Sequence, residues 1–264
     1  MDLERAFGNL RRNKKGGRYR PHKPAMLLAV LDLADAGRLK DNRIVYDTPL
    51  IERYARYFDI VKRGDDELNP HHPFFHLKND GFWHLKPREG NEEQVQNLTT
   101  VTNAQMRDQV QYASLDPELF RVLQNPEGRA ELRNYLINRY FPEEKKQLLA
   151  EETFEKEVSA YEGVLEREVI RFPELSFAKE RAIVREVPTE EVRNMAFARL
   201  VKEAYDYRCA ASGLRLILDD GSSIVEAARR SGCRLRRESG SRWRHSHLRV
   251  LKGRADSYVN LRCL

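Results

Sequence analysis

Cysteine is scarce in this chain: its 264 residues hold three, Cys209, Cys233 and Cys263. So small and odd a number argues against a disulfide framework as the source of stability. It also argues against structural zinc. Cys209-Ala-Ala-Ser212 has serine where a C-x-x-C half needs its second thiolate, and no matching pair follows. Long apolar runs are missing too. The longest, Ala25 to Leu31, is a buried helix segment at most, and the acidic start Met1-Asp2-Leu3-Glu4 is no secretory or transit signal. No membrane partner and a cytoplasmic location are therefore expected. With 41% apolar and 33% charged residues, the chain can build two modest soluble domains, each with its own core.

Charge is present but unevenly placed. The formal net charge is +6, yet residues 229–264 alone carry ten Arg and one Lys against Glu238 and Asp256, a net of +9, so residues 1–228 are slightly acidic. The basic isoelectric point is thus a property of the tail. One local basic stretch survives that subtraction: eight Lys or Arg lie between Arg5 and Lys23, including Arg11-Arg12, Lys14-Lys15, Arg18 and Arg20, with no acid among them. Such a run is either a solvated loop or a phosphate-binding edge.

Periodicity and breakers give a coarse map. Residues 2–13 read as an amphipathic helix, 16–24 as a loop, and 25–36 as a helix apolar nearly all round, stopped by Gly37. Residues 42–46 alternate as a short strand. Asp47-Thr48-Pro49 then offers a cap before proline, which starts a helix running to about Asp59. Residues 73–86 read as a hairpin, PFFHLK and FWHLK about the turn Asn79-Asp80-Gly81. Residues 116–141 form two helices split at Asn125-Pro126, 145–171 a charged helical connector, and 190–205 another helix. We place one domain at 1–150, a connector at 151–188 and a second domain at 189–264.

Five of the seven histidines, His22, His71, His72, His76 and His84, fall between residues 22 and 84. None of the usual zinc spacings is present, and no metal ligand is assigned. Scattered surface histidines remain an open alternative to a ligand surface in which His22, His72 and His76 present donors and flat rings beside Pro73 and the basic loop.

The phrases RYRPHKPAMLLAVLDL (18–33), HPFFHLKNDGFWHL (72–85) and ASLDPELFRVLQNPEGRAELRNYLINRYF (113–141) resemble, in order, the sulfur-binding domain of modification-dependent, HNH-type restriction endonucleases, whose usual forms are close to "PHKPLLLL" and "YPFWxLxxDGxW". The resemblance implies recognition of double-stranded DNA in which sulfur replaces a non-bridging phosphate oxygen. Sulfur is larger, more polarisable and less hydrated than oxygen, so a shallow apolar cup favours it where bare phosphate loses its hydration. Carried over by position, His72 and Pro73 form the cup and His76 its far side; His22 and Lys23 hold the neighbouring backbone, and Arg18 and Arg20 add phosphate contacts. His72 stands where the family has Tyr, and His76 where a small residue is expected.

The segment VKEAYDYRCAASGLRLILDDGSSIVEAA (201–228) resembles the opening of the HNH nuclease fold in the same enzymes: a helix, then a hairpin turning at Asp219-Asp220-Gly221. In that family "EAA" is followed by the catalytic His, which acts as general base beside one divalent ion, Mg or Mn. Here Arg229 follows Ala228. His245, His247 and Asn260 lack the hairpin before and the ligand after that a working site needs, so no catalytic residue and no cofactor are assigned. The abrupt shift to RRSGCRLRRESGSRWR reads as translation out of the original frame, or as a basic arm able to grip phosphate with Trp243 to stack on bases.

The expected fold class is α+β: a mostly helical DNA-binding domain containing a β-hairpin, joined to a truncated ββα-metal (HNH) domain. The expected role is a DNA-binding restriction or defence protein for phosphorothioate DNA that binds without efficient cleavage, with a homodimer as one expected assembly. The alternative is a non-catalytic regulatory module that binds nucleic acid through its basic tail.

Overall fold

A computed structural model describes residues 4, 7–15, 17–171, 188–209, 212–215, 217, 218 and 223. They divide into two units, with the boundary between Lys156 and Glu157. The linker segment 172–187, the turn Asp219-Asp220-Gly221, Arg229 and the whole tail with Cys233, Trp243, His245, His247, Asn260 and Cys263 lie outside the described residues.

The first unit is organised round one helix that is buried on every side. This helix, α1 (His22–Asp35), buries Lys23 to Ala34 without a break, as a segment apolar all round must. It begins three residues before the expected start, with Pro21 at the cap and Pro24 in the first turn, where a missing N–H costs nothing. Its end is as read: Gly37 sits at φ +67° and the Arg38 N–H returns to the Leu33 carbonyl at 2.9 Å. Packed on α1 are α2 (Thr48–Val61), α3 (His71–His76), α6 (Pro117–Gln124) and α7 (Pro126–Tyr140). The Asp47 carboxylate caps α2 by accepting the Leu50 N–H, as the Asp-Thr-Pro signal predicts.

Two local expectations are corrected. Residues 16–24 are not one loop: β1 (Lys14–Lys15) pairs antiparallel with β2 (Arg18–Tyr19), Lys14 facing Tyr19, with Gly17 at φ +79° in the turn. Upstream, the helix read over 2–13 does not continue past Phe7. Gly8 and Asn9, both weak helix formers, turn the chain, and the Tyr140 hydroxyl pins it by donating to the Phe7 carbonyl and accepting the Leu10 N–H.

The hairpin expected at 73–86 is the larger correction. Residues His71–His76 form α3, Leu77–Asp80 a 3-10 turn, and only Trp83–Pro87 is a strand, β3. The reason is burial: Phe74, Phe75, Leu77 and Trp83 are all inside, with Phe74 edge-on to Trp83 at 5.1 Å. Adjacent Phe74 and Phe75 could not both face one side of a strand, whereas one helical turn surrounded by core satisfies both. Gly81, at φ +89°, is a helix-stop residue and not the second residue of a hairpin turn. β3 pairs instead with β4 (Val110–Leu115), Trp83 opposite Leu115 and Leu85 opposite Ala113. The strand expected at 42–46 shrinks to one bridge, Ile44 to Ala113. Nearby, the Asn42 side chain imitates a third strand by exchanging hydrogen bonds with Leu115 at 2.7 and 2.8 Å.

Two short helices, α4 (Glu92–Asn97) and α5 (Asn103–Gln109), fill the connection between the strands, the second opened by a Thr102/Gln105 capping box. The split between α6 and α7 falls at Asn125, as read. A buried Arg133 on α7 ties the core together, with one arm on Asp32 and the other on Asp35 at 2.8 and 2.6 Å. The helix α8 (Lys145–Arg171) has the extent read from the sequence, and its first turns belong to the first unit, where Glu151 and Glu155 pair with Arg56 of α2. In the second unit α9 (Glu190–Ala204) is capped by Thr189, and Asp206 and Tyr207 turn the chain at positive φ. Ile217 and Ser223 then form an antiparallel bridge. The described residues are thus mostly helical with small antiparallel pairings, consistent with α+β. None of their helices is long and apolar enough to cross a membrane.

Candidate nucleic-acid interface

The first unit contains a concavity of about 820 Å³ between the residues preceding β1, the start of α1, the loop at 65–69 and one face of α3. Helical geometry supplies its floor. His72 and His76, four residues apart on α3, share a face and stack nearly parallel, centroids 6.0 Å apart at 13°, with Pro73 between them in sequence. The other face of α3 is anchored by Phe74 and Phe75. Six of the seven residues expected from the sequence meet here: Arg20, His22, Lys23, His72, Pro73 and His76. Arg18 does not line it. Its guanidinium donates to the Arg63 carbonyl at 2.7 Å and pairs with Asp66 at 3.2 Å.

The acidic loop after α2 was not anticipated, and it changes the electrostatics. The Asp66 side chain is fully enclosed, held by Arg18, Arg20 and the Arg63 N–H. Burial raises its pKa, but Arg20 and these other partners outweigh that and leave it lowered. Arg20 also reaches Asp65 at 3.3 Å. The ordered loop then offers the Glu67 carbonyl to His22 Nε2 at 3.1 Å, which fixes the ring as the Nε2–H tautomer and leaves Nδ1 as an acceptor. Lys23 is likewise engaged. It is only 7% exposed, with Nζ 2.6 Å from Asp80, whose other oxygen accepts the Arg11 N–H at 2.7 Å.

The imidazoles are uncharged at neutral pH. Burial lowers the pKa of His22 and of His72. It lowers His76 as well, with His72 and Lys23 adding repulsion. His71, buried behind His72 with ring centroids 4.3 Å apart, is pushed down to about 4 by burial and by its two histidine neighbours. The floor is therefore a set of flat, neutral, weakly polar surfaces, and positive charge is confined to the rim.

Arg11, Arg12 and Lys14 complete that rim. They belong to the basic run evident in the sequence, but nothing there distinguishes them from Arg18 and Arg20. Among the described residues no group of three or more His, Cys, Asp or Glu is disposed to hold a metal ion. Cys209, far along the chain, has a buried sulfur that accepts the Ser212 N–H.

A family model described as the ScoMcrA-like DNA sulfur-binding domain matches residues 1–156. Among solved structures the chain is similar to one described as the sulfur binding domain of ScoMcrA complexed with phosphorothioated DNA, at 22% identity and a TM-score of 0.41, over 56% of this chain and 98% of that one. No curated protein matches.

Proposed function

We propose that this chain, which belongs through residues 1–156 to the ScoMcrA-like DNA sulfur-binding domain family, binds double-stranded DNA at a phosphorothioate and serves as a recognition component of a restriction system. The observation that carries the reading is the neutral floor formed by His72, Pro73 and His76 inside a cationic rim. A sulfur-substituted phosphate keeps its negative charge but is less strongly hydrated at the sulfur. Ring faces and a proline edge therefore suit it, while an oxygen in the same place gives up water without replacement hydrogen bonds. The rim supplies the charge that any DNA strand requires.

We infer further that residues from 189 onward derive from an HNH nuclease module and that the protein binds without efficient cleavage. The likeness of 190–228 to that module and the presence of Arg229 at the general-base position support this reading.

Fluorescence anisotropy with two matched duplexes, one phosphorothioated in a guanine-containing core and one unmodified, tests the proposal across a salt series. A preference of tenfold or more, about 1.4 kcal/mol, that persists as salt rises is expected. Equal binding that collapses with salt would mean a phosphate-only contact and sink the sulfur reading.

A further inference from the structure

Three cationic side chains were expected to meet the DNA backbone, and all three are already bound to carboxylates: Arg18 to Asp66, Arg20 to Asp65 and Asp66, Lys23 to Asp80. A guanidinium in a carboxylate fork has to break those bonds before it can serve DNA, so its net contribution to binding is small. Arg12 is in the opposite condition. Its guanidinium carbon lies over two tyrosine rings, 4.7 Å from the centroid of Tyr19 and 4.5 Å from that of Tyr140. Its Nε is buried and has no hydrogen-bond partner. Among the described residues no carboxylate pairs with it, and Arg139 adds like charge nearby.

Each of these features favours capture of an anion. Two ring contacts restrain the guanidinium, so less side-chain entropy remains to be lost, and its N–H groups are donors that phosphate oxygens accept. Burial without a counter-charge lowers the pKa of Arg12, and an incoming phosphate relieves that penalty. Tyr140 is fixed by its hydroxyl bonds to Phe7 and Leu10, and Tyr19 by its pairing with Lys14 in the β1–β2 hairpin, so both ring contacts exist before any ligand arrives.

We propose that Arg12, held against Tyr19 and Tyr140 at the rim of the concavity, is the principal phosphate ligand of this surface and sets the register of the strand over the histidine floor. The inference rests on the DNA-binding reading above and names the residue that supplies its electrostatic part.

The test uses the full chain, the same two duplexes and the same salt series. Arg12→Gln is expected to weaken binding to both duplexes about tenfold, to leave their ratio unchanged, and to make the slope of log K against log salt shallower by about 0.9, one phosphate contact. Arg12→Lys keeps the slope but loses part of the affinity, because a point charge cannot replace the stacked fork. Tyr19→Ala, at a half-exposed position, removes one of the two ring contacts and is expected to weaken binding several-fold; it carries the test if Arg12→Gln does not fold. Folded Arg12→Gln protein with wild-type affinity and slope overturns the inference, as does wild-type binding by Tyr19→Ala. Wild-type protein that binds neither duplex overturns the functional reading as well, so the two failures are distinguishable.

Discussion

The pair Lys23 and Asp80 decides whether a residue expected at the DNA is there for DNA or for the fold. The Lys23 ammonium is 7% exposed and 2.6 Å from Asp80, itself enclosed, and the second Asp80 oxygen holds the Arg11 N–H. Burial drives the Lys23 pKa down against the pull of Asp80, the mark of a charge that depends on its partner. Asp80→Asn strands that ammonium, and the expected cost is about 3–5 kcal/mol. Lys23→Met strands the carboxylate and costs about the same, softened by the Arg11 N–H that remains. The double variant Lys23→Met/Asp80→Asn removes both charges and keeps an acceptor for Arg11, so it should lie within about 1–2 kcal/mol of wild type, a coupling energy of at least about 4 kcal/mol. Urea unfolding of the four proteins at pH 7.5 measures the cycle. Single variants within 1 kcal/mol of wild type, or strictly additive costs, would refute the argument. In the binding assay, Lys23→Met should retain the wild-type salt slope; a slope shallower by about one would make Lys23 a phosphate ligand after all.

Two further outcomes follow from the histidines. Because His22, His72 and His76 all have pKa values below the ordinary one, they are neutral at pH 7 and gain charge only as the pH falls below the ordinary imidazole range. Affinity for unmodified duplex should therefore rise on acidification faster than affinity for the phosphorothioate, and a ratio that stays constant down to the lowest pH at which the protein remains folded would remove the histidines from the floor of the site. Stability moves the other way: His71 titrates at about 4 when folded against 6.5 when unfolded, so the unfolded state takes up the proton first. The full contribution is present above about pH 6.5 and is lost as the pH drops toward 4, about 2 kcal/mol of it by pH 5. Urea unfolding at pH 7.5 and 5.0 should show this loss in wild type and a smaller one in His71→Phe; identical losses would contradict it.

The elements legible in the sequence were those whose signals are local. The Asp47 cap, the Gly37 stop, the break at Asn125 and the full length of α8 each rest on one or two residues acting on their own backbone. Misreadings occurred where tertiary burial overrode a local signal. Asn79-Asp80-Gly81 has hairpin composition, yet Phe74, Phe75 and Leu77 all need the core, and only a helix delivers them there. For the site, position within a motif brought His22, His72, Pro73 and His76 into one concavity. What could not be read was pairing. Nothing in the spacing of Arg18, Arg20 and Lys23 foretells that Asp65, Asp66 and Asp80, about fifty residues later, occupy them, or that Tyr140, more than a hundred residues away, stacks on Arg12.

That pairing bears on how one surface can tell sulfur from oxygen when both ligands carry the same charge. A floor lined with free cations would attract either phosphate strongly and leave selectivity to a small difference on top of a large common term. Here the cations nearest the floor, Arg20 and Lys23, are held by carboxylates, and the imidazoles are neutral. The common electrostatic attraction is left to the rim, and the floor contributes mainly the short-range term that differs between sulfur and oxygen. The two contributions should then separate experimentally: substitutions at His72 or His76 change the ratio between duplexes at constant salt slope, whereas substitutions at Arg12 change the slope at constant ratio. His72→Tyr restores the residue usual in the family, with a larger and less polar face, and should raise the preference for phosphorothioate several-fold without altering the slope. A His72→Tyr protein whose slope changes and whose ratio does not would show that floor and rim are not separate.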